Sequence, residues 1–201
     1  MKLKAIAAGA LLITAGGLNV AQAQSEPKPF GPTPNSRQLE WFDREMIAFF
    51  HFGINTFENF VNEGDGRAPA AIFNPSELDC LQWMETLKNA GIPAAILTAK
   101  HADGFCLWPS GYTDYSVRNA AWKNGRGDVA REFVDACEES GIKAGIYLGP
   151  HDRHQHLRPD YSTDGYRSYY ANQLRELMTG YGKIWETWLS LIHISEPTRQ
   201  E

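Results

Sequence analysis

Two glycines, Gly91 and Gly141, each stand where a helical apolar pattern stops and an apolar run starts, at 92–99 and at 142–149. Glycine takes the left-handed conformation that ends a helix at no steric cost, so a strand can follow within a residue or two. Helix end followed by β run, twice over, confines the chain to an alternating α/β fold. The first of these helices is predicted to start at Asn74 as N-cap, with Pro75 at its first position and Glu77 at its third, the residue types of a capping box. Leu78, Leu81, Trp83, Met84 and Leu87 supply its apolar face. Asp128 is the predicted cap of the second, with Val129, Phe133, Val134 and Cys137 at helical spacing. A Phe- and Ile-rich run at 46–54 reads as a buried strand before the first helix. Segment 165–180, with Tyr169, Leu174 and Leu177 near one face, reads as a third helix, and 184–188 begins a fourth strand. The pattern is β-α-β-α-β-α-β.

Strands separated by helices pair in parallel through right-handed crossovers. A doubly wound sheet would hold a phosphate in a Gly-rich turn after its first strand, and His51-Phe52-Gly53-Ile54-Asn55 does not supply one. Long polar loops after every strand favour a (β/α)8 TIM-like barrel. Residues 37–188 fall short of the ~250 typical of a complete barrel, so about its first half is expected.

The ends of the chain set the domain boundaries. Lys2 and Lys4, a mostly small and apolar stretch to Val20, and Ala21-Gln22-Ala23 read as a signal peptide over 1–23, cleaved before Gln24. Export to the periplasm or beyond follows, with no membrane span left after cleavage. Residues 24–36 hold Pro27, Pro29, Pro32 and Pro34 and read as an extended linker. The run Leu189-Ser190-Leu191-Ile192-His193-Ile194-Ser195-Glu196-Pro197-Thr198-Arg199 matches the translation of a transposase sequencing adapter. Native sequence is therefore expected to end at about Trp188, with 189–201 foreign; an ordinary polar tail is the alternative. The net charge of −5, with both signs interspersed, leaves no footprint for nucleic acid. Cys80, Cys106 and Cys137 contain no C-x-x-C pair, which leaves either one disulfide or buried free thiols.

Each strand's C-terminal end carries polar side chains: His51 and Asn55, then Lys100, His101 and Asp103, then His151, Asp152, His154 and His156. In a barrel these ends converge on one pocket. The last four admit a metal site, but their packing within six residues is unlike the two-His helical spacing of hydrolytic zinc sites, and solvated loop residues fit better. Phe57, Phe60, Phe105, Trp108, Tyr112, Tyr115 and Trp122 crowd the same loops. Aromatic faces beside His, Asn and Asp suit a carbohydrate; packing over the barrel mouth is the alternative, and it accounts for Phe105 and at least half of the rest.

At these residues the chain resembles glycoside hydrolase family 29, the exo-acting α-L-fucosidases. The likeness spans roughly 38–188. It rests on His51-Phe52-Gly53-x-Asn55-Thr56-Phe57, Phe73-Asn74-Pro75, Thr98-Ala99-Lys100-His101-x-Asp103-Gly104-Phe105-Cys106-Leu107-Trp108-Pro109-Ser110, Trp122-Lys123-Asn124-Gly125-x-Gly127-Asp128 and Gly145-x-Tyr147-Leu148-x-Pro150-x-Asp152-Arg153. The wording is nearest the branch that prefers α-1,3/1,4-linked fucose. The resemblance implies a barrel, a fucosylated glycan as substrate, no cofactor, and retaining double displacement. It implies that His51 and His101 hydrogen-bond fucose hydroxyls, that Glu63 is the remnant of the family's Glu-Trp pair, and that Trp188 lies two positions before the nucleophile in the family's Trp-Phe-Asp-Gly. The nucleophile and the acid/base then fall outside this sequence, and the fragment is expected to be inactive. Neither Asp103 nor Glu186 is assigned by proximity. Three departures stand out: Ala102 where the family has a second His, Gly64 where it has Trp, and His151 where the near branch has Trp. The lost His contact corresponds to ~1–3 kcal/mol of binding. A non-catalytic sugar-binding protein on the same barrel is the alternative reading, and a metal-dependent hydrolase using 151–156 is a third.

Overall fold

The computed structural model describes residues 31–58 and 64–189. The signal segment, Phe60, Glu63 and residues 190–201 lie outside the described residues. The folded unit begins at Ser36. Its elements run α1 (Ser36–Phe42), β1 (Ile47–Phe50), α2 (Cys80–Asn89), β2 (Ala94–Lys100), α3 (Val129–Ser140), β3 (Lys143–Leu148), α4 (Arg153–His156), α5 (Thr163–Gly180) and β4 (Glu186–Trp188).

The four strands form one parallel sheet in the order β1-β2-β3-β4. Sequential order without a reversal is not that of a doubly wound sheet, whose order turns back at a switch point. Side chains alternate across the sheet. Ala95, Leu97 and Ala99 of β2 and Ala144, Ile146 and Leu148 of β3 share one buried cluster with Met84 and Leu87 of α2, Phe133, Val134 and Cys137 of α3, and Leu177 of α5. Each large side chain fully buried here contributes ~1.5–3 kcal/mol. Gly145 lets β2 and β3 pack flush, because a Cβ there would meet Ile96 Cγ1 at 2.8 Å.

α3 is built as expected: the Asp128 carboxylate accepts from Arg131 N at 2.9 Å, and Gly141 closes the helix at φ 74°. Gly91 likewise takes φ 74° after α2. The start of α2 is not as expected. Asn74 and Pro75 form turns, with Ser76 N donating to Asn74 O, and the helix begins five residues later, capped by Asp79, whose carboxylate accepts from Gln82 N at 2.9 Å. Asp-x-x-Gln has the same capping chemistry as Asn-x-x-Glu, and the helix that Asp79 opens buries Cys80, Met84 and Leu87, spaced i, i+4 and i+7 on one face. β1 also ends early: after Phe50 the chain leaves the sheet, and Ile54–Phe57 form a 3-10 turn that buries Ile54. Two helices were not anticipated. α1 has no buried residue to betray a period, and α4 is a single turn capped by Asp152 within what read as a loop.

Candidate functional site

The C-terminal ends of all four strands carry the site. His51 follows β1 and His101 follows β2, and their rings lie 5.3 Å apart, edge to face. Phe49 sits beneath them, stacked on His51 at 5.0 Å and in edge contact with Tyr147 of β3 at 5.8 Å and Trp188 of β4 at 5.4 Å. Tyr147 in turn lies 6.1 Å from His101. Parallel pairing in register makes this convergence: Phe49 is opposite Ile96, Thr98 opposite Tyr147, and Tyr147 opposite Trp188. His51, His101 and Trp188 are thus brought to one face, while Glu63 falls outside the described residues. No motif marks Phe49 and Tyr147, although their alternation with the core residues Ala48, Phe50, Ile146 and Leu148 places them on the opposite face. Two imidazoles over aromatic rings can hydrogen-bond ring hydroxyls and pack a C–H face.

The other polar residues of the strand ends do different work. Lys100, expected among the site's polar groups, is fully buried: its ammonium donates to Asp152 Oδ2 at 3.0 Å and Gln173 Oε1 at 2.9 Å. Its Nζ also lies 4.9 Å from the centre of the Tyr169 ring, whose hydroxyl donates to the same Asp152 oxygen. β2, the start of α4 and α5 are tied together at this point. The four residues of the 151–156 group do not converge on one point, although His151 and His156 meet edge to face at 5.1 Å. Asp152 faces Lys100, His154 stacks on Tyr115 at 4.1 Å with its Nδ1 donating to Gly66 O, and His156 packs against Tyr161 at 4.5 Å.

Asp103 is buried against the segment that returns from 64 to 67. It accepts from Phe105 N at 2.7 Å and Asn55 Nδ2 at 3.2 Å. Burial pushes its carboxyl up to about 6, with the Asp152 charge adding to the effect and these hydrogen bonds opposing it. Asn55 Oδ1 is buried without a hydrogen-bond partner and lies where a Cβ on Gly64 would be, at 2.3 Å. Gly64 also has φ +71°. Its carbonyl accepts from Arg153 Nη1, and the carbonyl of Gly66 from His154, so the loop after β3 clasps the loop after β1. Glu186 on β4 accepts from Trp41 Nε1 at 2.9 Å.

Most of the loop aromatics are core. Phe105, Trp108, Tyr115 and Trp122 are buried, whereas Phe57 and Tyr112 are exposed. The three cysteines are free thiols in the interior, and burial raises the pKa of each.

A parallel α/β sheet whose strand ends gather imidazoles and aromatic rings is a frame suited to sugar chemistry. The family described as Alpha-L-fucosidase matches residues 36–190. Alpha-L-fucosidase 1 of Arabidopsis thaliana is 48% identical over 163 residues, covering 81% of this chain and 32% of the plant protein. Among solved structures, a Bacteroides thetaiotaomicron protein assigned as an α-L-fucosidase shares 77% identity at a TM-score of 0.79, covering 81% of this chain and 35% of that one. A glycoside hydrolase 29 family member from an unknown rumen bacterium shares 51% identity at a TM-score of 0.75, covering 81% and 29%. The chain belongs to the α-L-fucosidase family, glycoside hydrolase family 29. It spans about a third of the length of these relatives.

Proposed function

We propose that this chain is the N-terminal part of an exported α-L-fucosidase that removes terminal α-L-fucosyl residues, with α-1,3/1,4 linkages preferred, by retaining double displacement. The observation that carries the reading is that the family match over 36–190 runs through the four strand ends where His51, His101 and Trp188 gather. On this reading the sheet continues and closes into a (β/α)8 barrel, for which the sequential strand order and the shared helix face give support. His51 and His101 hydrogen-bond the hydroxyls of the fucosyl ring, Glu63 and Trp188 complete the pocket, and the ring is held with its anomeric carbon toward a carboxylate beyond Trp188. That carboxylate attacks the anomeric carbon while an acid protonates the leaving oxygen; water then releases fucose.

The proposal includes a native continuation Phe-Asp-Gly after Trp188, a cleaved leader at 1–23, and foreign sequence at 189–201. Re-sequencing across the Trp188 codon, followed by hydrolysis of an aryl α-L-fucoside, tests it. No turnover is expected from the 201-residue chain, and turnover with retained anomeric configuration from the continued one. A sugar-binding protein without catalysis is the competing reading, motivated by Ala102 and by Gly64, where Asn55 fills the space a larger side chain needs. A non-acidic residue at the Asp position, with fucose binding intact, would establish that reading instead.

A further inference from the structure

His51 and His101 each stand one residue past the end of a strand, and the register of β1 on β2 stops short of both, at Phe50 opposite Leu97. Their rings nevertheless meet edge to face at 5.3 Å. Segments beyond a sheet ladder move on the nanosecond scale unless something ties them, so the separation of the two imidazoles needs a support outside the strands. Each His is followed by a tight turn. After His101, Gly104 N donates to the His101 carbonyl at 3.0 Å, and Asp103 within that turn accepts from Phe105 N at 2.7 Å. After His51, Thr56 N donates to Gly53 O at 3.1 Å and Glu58 N to Asn55 O at 3.3 Å, with Ile54 fully buried.

One side-chain hydrogen bond joins the two turns across 48 positions of sequence: Asn55 Nδ2 donates to Asp103 Oδ2 at 3.2 Å. Asp103 is buried, so water competes little for that bond, and an ionised acceptor strengthens it. The two turns are not equally fixed. The β2 turn is anchored again from β3, with Ala102 O accepting from Arg153 N at 2.8 Å and Asp103 O from His154 N at 3.3 Å. Gly104, at φ +94°, lets it close directly onto Asp152. Asn55, by contrast, commits its donor to Asp103 while its own Oδ1 is buried without a hydrogen-bond partner. An interior acceptor left unpaired is unfavourable, and such a cost is characteristic of places where geometry serves function.

We propose that Asn55 and Asp103 are positioning residues: through their hydrogen bond the anchored turn after β2 sets where the turn after β1 lies, and with it the separation and tilt at which His51 and His101 meet one sugar ring. Neither is assigned a contact of its own with the sugar. The role rests on the fucosidase reading for the identity of the ligand, and on the two turns alone for its geometry.

The full chain with labelled histidine gives two readouts: the NOE between the His51 and His101 ring protons, assigned with His51→Gln and His101→Gln, and the affinity for methyl α-L-fucoside. Asn55→Leu keeps the volume and removes the donor, and Asn55→Asp sets one carboxylate against another. Both are expected to lose the NOE and to bind the sugar about tenfold more weakly, the factor that one lost hydrogen bond gives. The exchange Asn55→Asp with Asp103→Asn reverses donor and acceptor and keeps an oxygen for Phe105 N. It should bring back the NOE and leave the affinity within about threefold of the parent. Thermal melts show which variants are folded, and where Asn55→Asp is not, Asn55→Leu and the exchange carry the comparison. A pair that only stabilises the fold would lower the melting midpoint while the NOE and the affinity of the folded variants stay as in the parent, and that result overturns the proposal. So does a folded exchange variant that restores neither readout, or a parent without the NOE. If the parent does not bind methyl α-L-fucoside, the NOE alone decides: lost in the single variants and regained in the exchange, it upholds the positioning role and counts against the fucosidase reading.

Discussion

β1 and β2 lie side by side, Ile47 opposite Ala94 through Phe50 opposite Leu97, and each delivers one imidazole to the candidate site. They are otherwise unlike. All seven residues of β2 are buried, and all four of β1 are only partly so. The loop after β2 folds back on its own strand: Leu107 N donates to Ala99 O, Cys106 N to Tyr115 O, and Val129 N, at the start of α3, to Leu107 O. After β1, His51, Thr56 and Phe57 are exposed. His101 therefore stands on a platform fixed by core packing, and His51 on an edge held mainly by its neighbour. Sites need their contact groups held to a fraction of an ångström, and low-stability elements open first, so the β1 side limits how well the two imidazoles act together.

The largest expected effect comes from breaking the platform. Lys100→Met leaves Asp152 buried and unpaired, which costs about 3–5 kcal/mol. Adding Asp152→Leu removes the stranded charge and should restore part of that stability, though not all, because Asp152 also caps α4 through Gln155 N and accepts from Tyr169. Urea unfolding of the two variants measures the difference. A Lys100→Met midpoint equal to that of the parent would show the platform does not depend on the pair.

Asp103 joins the two regions, accepting from Asn55 on the β1 side and Phe105 on the β2 side. Its carboxyl is raised from 3.8 to about 6 in the folded state. The native state consequently holds this proton more tightly than the unfolded chain, and the group's contribution is most favourable below pH 4 and declines as pH rises through 6. The decline amounts to about 3 kcal/mol in all, at about 1.4 kcal/mol per pH unit. Asp103→Asn keeps an acceptor for Phe105 N and should remove that slope. Unfolding midpoints at pH 5 and pH 7 check it; the same slope in parent and variant would assign the effect to another group.

Much of the fold was readable because it is written in local chemistry. Asp128 and Gly141 bracket α3 with no long-range help, and the apolar runs of β2 and β3 have no other use. What was misread depended on choices between equivalent local signals. Asn74 and Asp79 are both sound caps by residue type, and nothing in the local sequence ranks the second above the first. Lys100 looked like a site residue because it ends a strand beside His101; that its partner is Asp152, fifty-two residues on, is a tertiary fact. The motif resemblance alone singles out His51, His101 and Trp188 as candidates, whereas Phe49 and Tyr147, whose rings lie against them, follow from carrying the period-two alternation one step past the core.

Gly64 tests whether the exposed side can be given the Trp that the family resemblance implies there. Introducing Trp there forces a side chain into φ +71° and into the space of Asn55 Oδ1. The backbone term alone is ~1–2 kcal/mol, and moving Asn55 frees the donor that Asp103 uses. Gly64→Trp is expected to lose about 2 kcal/mol in a thermal melt and to gain no affinity for methyl α-L-fucoside. A tighter, equally stable variant would mean that the loop after β1 adapts freely and that the contrast with β2 is overstated.

The smallest effect should also be the most local. α1 buries none of its residues, yet Trp41 Nε1 reaches Glu186 Oε2 on β4, 145 positions away in sequence. An exposed hydrogen bond to a carboxylate is worth about 1 kcal/mol or less, so Trp41→Ala should hardly move the global midpoint. Its consequence should appear at the sheet edge. Among the described residues the three of β4 pair with β3 alone, and releasing Glu186 should raise amide exchange at 186–188 several-fold while leaving 94–100 protected. Exchange rising equally at both places would mean that edge and centre open as one cooperative unit, and the division between a fixed His101 and a looser His51 would then have no energetic basis.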